Sequence, residues 1–92
     1  MHVISVKLTF YLPQSFSLKD KRQVRRSAIE KTKHKFNVSI AEVDTQDVHQ
    51  TLTLGIALVS GDYSHAEKSM DEVIRFLEEN VDGEMVTVAY ED

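Results

Sequence analysis

Cysteine and tryptophan are both absent from the 92 residues. Without thiols the chain cannot form disulfides, zinc ribbons, CxxC metal carriers or a cysteine nucleophile. The four histidines show neither HxxH nor HExxH spacing, so the sequence predicts no metal ligand. We expect a protein without a metal or a cofactor.

Glycine is scarce, with three residues in the chain, and this argues against most phosphate-binding loops. There is no P-loop and no GxGxxG, and the segment LPQSFS at 12–17 lacks the glycine-rich anion loop that an acylphosphatase would need. Ser60 lies in VSGD rather than in a GxSxG elbow. The sequence therefore predicts no catalytic residue, and we expect a non-enzymatic protein.

Long apolar runs are missing as well. The longest mainly apolar stretch, around residues 52–59, is far shorter than a membrane span. The chain does not open with a basic segment followed by an apolar one, as an export signal would. We expect a cytoplasmic protein with no membrane partner.

Positive charge is concentrated in one segment of an otherwise acidic chain. Residues 19–35 contain eight of the eleven basic residues and only two acids, so this segment carries a formal charge of +6 against −10 for the rest. An asymmetry of this kind concerns partners and orientation rather than fold.

Hydrophobic periodicity predicts four strands and two helices. Apolar and polar residues alternate at 2–12, 36–44, 51–60 and 85–90, as in half-buried strands. Helical stripes follow two capping-box spacings, Ser17 with Asp20 and Ser64 with Glu67. The order is β-α-β-β-α-β, which predicts an α+β, ferredoxin-like split βαβ domain covering residues 1–92. Its four-stranded antiparallel sheet would carry both helices on one face.

Several sequence blocks resemble one known family. The blocks are SLKDKR at 17–22, FNVSIAEVD at 36–44, QD at 46–47 and LGIALVS at 54–60. In this order they closely resemble the YlxP-like family, a bacterial family of unknown function. The resemblance implies a ferredoxin-like fold, gives no enzyme activity, and brings a context of gene clusters with translation and ribosome-maturation factors. Where many relatives have a tryptophan after the QD block, this chain has His49.

The basic helix is the first candidate binding surface. Four of its cations fall within an arc of about 60° on a helical wheel, and Lys21 is a further candidate beside them. The predicted anion- or RNA-binding residues are Lys19, Lys21, Arg22, Arg26 and Lys33. They would contact RNA, for example that of a ribosomal subunit, or an acidic protein surface. No DNA specificity is expected. The alternative is a solvated helix face whose cations pair with the acidic rest of the chain.

Arg25 differs from the other cations because its wheel angle lies inside the apolar arc of the helix. A cation in that position would either extend past the sheet edge or pair with a carboxylate. We predict a structural pair with Glu42.

The open face of the sheet is the second candidate. Its predicted residues are small and nearly uncharged, and they include Ser5, Lys7, Thr9, Tyr11, Ser39 and Thr53. An RNA-recognition motif would carry stacking aromatics on this face, and TLTLGIALVS has none. A neutral face of this kind favours packing against another protein. The second hypothesis is therefore a homodimeric interaction or small-ligand regulatory module.

Overall fold

The first strand organises the sheet. The computed structural model describes residues 1–91, and its elements are β1 (His2–Tyr11), α1 (Leu18–Lys35), β2 (Ser39–Glu42), β3 (Thr51–Ser60), α2 (Tyr63–Asn80) and β4 (Glu84–Glu91). The strand β1 pairs antiparallel with β3 on one side and with β4 on the other, and β2 pairs antiparallel with β3. The order across the sheet is β2-β3-β1-β4. The predicted βαββαβ order is confirmed.

The core lies between the sheet and the two helices. Alternate residues of β1 point toward the helices, so Val6, Leu8 and Phe10 are buried while their odd-numbered neighbours face the open side. The matching residues of β3 and the apolar stripe of α2 close the layer: Leu52, Leu54, Ile56, Leu58, Ala66, Met70, Val73 and Leu77. Full burial of each large apolar side chain contributes about 1.5–3 kcal/mol.

Capping side chains define where both helices begin. Ser17 Oγ accepts a hydrogen bond from the Asp20 N–H at 3.1 Å, as predicted, and Asp20 accepts from the Phe16 N–H at 3.0 Å. The predicted start of the second helix is wrong. Asp62 is its N-cap and accepts from the Ser64 N–H at 3.1 Å, because a carboxylate directly after the strand can reach the free N–H groups of the first turn.

The second strand is shorter than the alternation at 36–44 predicts. Phe36 ends α1, and β2 covers only Ser39–Glu42. Asp44 has a φ of 65°, in the left-handed region, which turns the chain out of the strand conformation. Residues 43–50 therefore form a connection that passes close to the start of β3.

Residues 1–91 contain no helix that combines the length and the apolar character needed to cross a membrane.

Gly83 lies where a side chain does not fit. A Cβ at this position would be 2.6 Å from the backbone oxygen of Tyr11 and 2.6 Å from Leu12 Cδ2, whereas nothing lies within 4 Å of a Cβ at Gly61. Neither glycine has a positive φ. Close backbone contact therefore excludes a side chain at Gly83.

We expect Gly83→Ala to destabilise the protein by about 1–3 kcal/mol, because β4 would have to move away from the end of β1. Gly61→Ala is the control, with an expected change between zero and a gain of about 1 kcal/mol. Urea unfolding of the two variants measures the difference. Equal stabilities would contradict the close packing of Gly83, just before β4, against residues 11 and 12.

Candidate functional site

Four cations of α1 form an exposed row, which we call the basic stripe: Lys19, Arg22, Arg26 and Lys33. The row extends from residue 19 to residue 33, which is about 21 Å along the axis at 1.5 Å per residue. No carboxylate oxygen of residues 1–91 lies within 4.0 Å of any of these four cations. The stripe is therefore open to an external anion.

The contacts of α1 show which flank of the molecule carries the stripe. Arg25 pairs with Glu42 of β2, so its side of the helix faces the β2 edge of the sheet. Lys35 lies over the ring of Phe76 in α2, with its ammonium 4.9 Å from the ring centroid, so that side faces α2. On a helical wheel the basic stripe continues beyond Arg25 and away from Lys35. The stripe thus lies on the β2 flank.

Lys21 does not belong to this surface, and its prediction as an anion-binding residue requires correction. Its side chain is 2% exposed, and its Nζ lies 2.7 Å from Glu42 Oε2. The ammonium also donates to three carbonyl oxygens of the β2–β3 connection and of β3: Thr45 at 2.7 Å, Gln46 at 3.2 Å and Thr51 at 3.2 Å. A cation enclosed in this way is not accessible to a phosphate.

Glu42 joins two cations in what we call the buried triad, Lys21–Glu42–Arg25. Arg25 Nη1 donates to Glu42 Oε1 at 3.1 Å, which confirms the predicted pair. The Glu42 side chain is 6% exposed. The Lys21 ammonium has three N–H bonds but four oxygen neighbours, namely three carbonyl oxygens and Glu42 Oε2. The three carbonyl oxygens accept its hydrogen bonds, and Glu42 Oε2 accepts none within the described chain. Its attraction to Nζ is therefore mainly coulombic.

The signal that identifies Lys21 is present in the sequence. Ala28 and Thr32 follow it by seven and eleven residues, so the three side chains share one helical face. All three are buried. On the helical wheel Arg25 lies inside the apolar arc, and Lys21 lies at the centre of the same arc.

The open face of the sheet carries all six predicted residues, and five of them are at least partly exposed: Ser5, Lys7, Thr9, Tyr11 and Ser39. Thr53 is the exception, because its side chain is buried under the β2–β3 connection. Thr45 Oγ1 donates to Thr53 Oγ1 at 3.0 Å and accepts from the Thr53 N–H at 3.1 Å. Thr53 therefore cannot contact a partner directly.

Lys7 gives this face a charged centre. Its Nζ lies 2.8 Å from Asp44 Oδ2 and 3.2 Å from Glu91 Oε1. The hydrogen bond with Asp44, followed by the one with Glu91, raises the pKa of Lys7 above its ordinary value. The lysine thus remains charged, and its positive charge is balanced locally.

A cleft of about 590 Å³ lies between α2 and the ends of β1 and β4. It has tyrosines and carboxylates in its lining: Tyr63, Glu67, Asp71, Tyr90 and Glu91. Partial burial, and next the neighbouring Asp71 carboxylate, raise the pKa of the Tyr90 phenol. Within residues 1–91 no three His, Cys, Asp or Glu side chains are arranged to bind a metal ion. The lining is negative, opposite in sign to the basic stripe.

His49 lies exposed in the β2–β3 connection.

Comparison with known proteins places the chain among proteins of unknown function. Residues 3–90 match the family described as "Protein of unknown function (DUF503)". Over 62 residues the chain is 40% identical to "Uncharacterized protein YlxP" of Bacillus subtilis (strain 168), which covers 67% of each chain.

A solved structure has the same fold. A de novo designed protein with ferredoxin fold, determined by solution NMR, superposes with a TM-score of 0.60 at 14% sequence identity, covering 99% of this chain and 84% of the designed one. At this identity the similarity concerns the fold alone, and it confirms the predicted ferredoxin-like architecture.

We predict that Lys21→Ala destabilises the protein by about 3–5 kcal/mol, because the carboxylate of Glu42 and three carbonyl oxygens would lose a buried cation. Lys31→Ala removes an exposed lysine from the same helix and should change stability by at most about 0.5 kcal/mol. Chemical denaturation monitored by circular dichroism compares them. A Lys21→Ala variant as stable as Lys31→Ala would show that Lys21 is not a structural residue.

Proposed function

The chain belongs to the DUF503 family of proteins of unknown function, and we propose that it is a non-enzymatic binding protein whose basic stripe contacts RNA phosphates. The translation context that the YlxP-like resemblance implies makes ribosomal RNA the proposed target. The cytoplasm is the proposed location. An acidic protein surface is the competing target of the same stripe.

The absence of internal ion pairs carries this proposal. If the stripe were only a solvated face, its cations would be expected to pair with the acidic rest of the chain. In the described chain, ion pairs form at Lys7, Lys21 and Arg25 and not at the four stripe residues. The stripe therefore keeps its full positive charge for a partner.

The side chains of the stripe suit a phosphate backbone. Two of the four are arginines, whose planar guanidinium can donate two parallel hydrogen bonds to one phosphate. Phosphate contacts fix position and supply affinity without reading sequence. Within residues 1–91 the open face carries one half-exposed tyrosine and no platform of stacked aromatics. We therefore propose contact with the RNA backbone rather than with bases.

The expected affinity is modest and depends on salt. Four contacts to a single strand correspond to a log–log salt slope of about −3, at 0.7 per phosphate. The formal charge of −10 outside residues 19–35 opposes close approach of RNA on the other flanks. Binding should therefore be confined to the side of the molecule that carries the stripe.

The contacts of serine with histidine support a role without catalysis. Ser69 Oγ lies 3.5 Å from His65 Nε2 on the exposed surface of α2, and these are side-chain types that serve as a nucleophile and its base. Among residues 1–91 no carboxylate accepts a hydrogen bond from this imidazole, so no acidic side chain orients the ring. A nucleophile needs a positioned base, which in turn needs an orienting group.

We expect the double reversal Arg22→Glu/Arg26→Glu to weaken binding of a single-stranded ribosomal RNA fragment more than about tenfold and to reduce the salt slope from about −3 to about −1.5, since two phosphate contacts are lost. Fluorescence anisotropy across a salt series measures both quantities. The control is Lys31→Glu/Lys68→Glu, which makes the same charge change at exposed lysines outside the stripe.

The proposal fails if the stripe variant and the control bind RNA equally well. Binding of polyglutamate in place of RNA, lost in the stripe variant alone, would identify an acidic protein surface as the target.

A homodimer through the open face is the second candidate function. Val3 and Val59 are register partners at one end of this face, and both are exposed. Adjacent exposed valines beside small residues favour packing against another surface. Light scattering at micromolar concentration should then give a dimer, and Val59→Lys should give a monomer. A monomeric parent chain that still binds RNA would exclude this second candidate.

A further inference from the structure

The strand β4 forms an unprotected edge of the sheet. It pairs with β1 on one side, and in residues 1–91 no strand pairs with its other side. The opposite edge strand, β2, has four residues, whereas β4 has eight and reads EMVTVAYE, without lysine or proline. Short length, lysine and proline are the usual means by which proteins prevent pairing at an edge. Within residues 1–91 one register shift, opposite Thr9 and Phe10, interrupts the pairing of β4 with β1.

Apolar side chains on this edge extend past the helix layer. Val88 and Tyr90 pair with Leu8 and Val6, whose side chains are buried, so they point to the helix side of the sheet. The helix α2 packs mainly on β1 and β3, and its residues Glu67 and Asp71 line a cleft together with Tyr90. Val86, which has no register partner in β1, is 52% exposed. Val88 and Tyr90, on the helix side, are 45% and 55% exposed. A strand added beside β4 would bury them on that face.

The other face of β4 is acidic. Glu84 and Glu91 pair with Tyr11 and Ser5 of the open face, at the two ends of the strand. Glu91 shares Lys7 with Asp44, and Glu84 has no cation within 4.0 Å in the described chain. On the helix side, Glu67 and Asp71 of α2 add negative charge beside Tyr90. The complementary strand thus carries apolar residues against Val88 and Tyr90 and cations near the acidic residues at the ends of β4.

We propose that β4 binds an extended peptide segment with alternating apolar and basic residues, which adds to the sheet as a fifth strand. Main-chain hydrogen bonds to the free edge would supply affinity, and the alternation would supply specificity. A second copy of β4 suits this edge less well, because antiparallel pairing over all eight residues brings Glu84 of each copy opposite Glu91 of the other. The proposal concerns a surface separate from the basic stripe.

Two synthetic peptides of about seven residues, the length of a typical strand, test the proposal with the full chain. One alternates lysine and valine, and the other alternates glutamate and valine. We expect the first to bind and the second to bind at least about tenfold more weakly, given the acidic side chains at the edge. Two-dimensional NMR of the isotopically labelled chain measures the affinities, and the shifted amide signals should lie in residues 84–91.

Val88→Lys should weaken binding of the lysine–valine peptide by about tenfold or more, since a lysine on an edge strand opposes pairing. The matched control is Val48→Lys in the β2–β3 connection, because Val48 is 49% exposed against 45% for Val88. Equal effects of these two substitutions, equal binding of both peptides, or no binding would each overturn the proposal. So would self-association of the chain that Val88→Lys abolishes, since that result identifies a second copy at the edge.

Discussion

Glu42 fixes α1 on the sheet by binding two cations of the helix at once. Lys21 and Arg25 lie one turn apart and reach the two oxygens of the same carboxylate, which belongs to β2. The Lys21 ammonium is also held in place by hydrogen bonds that it donates to the carbonyl oxygens of residues 45, 46 and 51. One buried group therefore sets the position of a helix, a short strand and a connection. Removal of Glu42 would leave the buried Lys21 ammonium without its counter-ion, and removal of Lys21 would leave three carbonyl oxygens and one oxygen of Glu42 without a buried cation.

This constraint separates two groups of cations on α1. Lys21 and Arg25 neutralise the carboxylate and stabilise the fold, whereas the basic stripe lies on the outer flank and has no internal partner among residues 1–91. The helix α2 contains five acids against two lysine or arginine residues, so the two helices differ in sign. The electrostatic field therefore orients an approaching polyanion toward the β2 side and a polycation toward the β4 side. The two proposed binding surfaces lie on opposite edges of one sheet.

Sequence patterns predict the architecture because one face of every element is buried, and burial imposes a period of two on strands and of about 3.6 on helices. They also predict the Arg25–Glu42 pair, since a cation at the apolar arc requires a partner. Charge alone places Lys21 on the binding surface, whereas its position on the helical face of Ala28 and Thr32 places it in the core. Thr53 lies on the predicted face, but alternation does not show that the β2–β3 connection covers it. Exposure at β4 is likewise invisible in sequence, because it depends on how far α2 extends across the sheet.

The most direct test of the divided helix is an NMR titration of the isotopically labelled chain with a ribosomal RNA fragment, observing the lysine and arginine side chains of α1. We expect the signals of Lys19, Arg22, Arg26 and Lys33 to shift, while the buried Lys21 ammonium keeps both its signal and its slow exchange with water. Shifts confined to other surfaces, or a Lys21 ammonium that exchanges as fast as Lys31 and responds to RNA, would contradict this division of the helix.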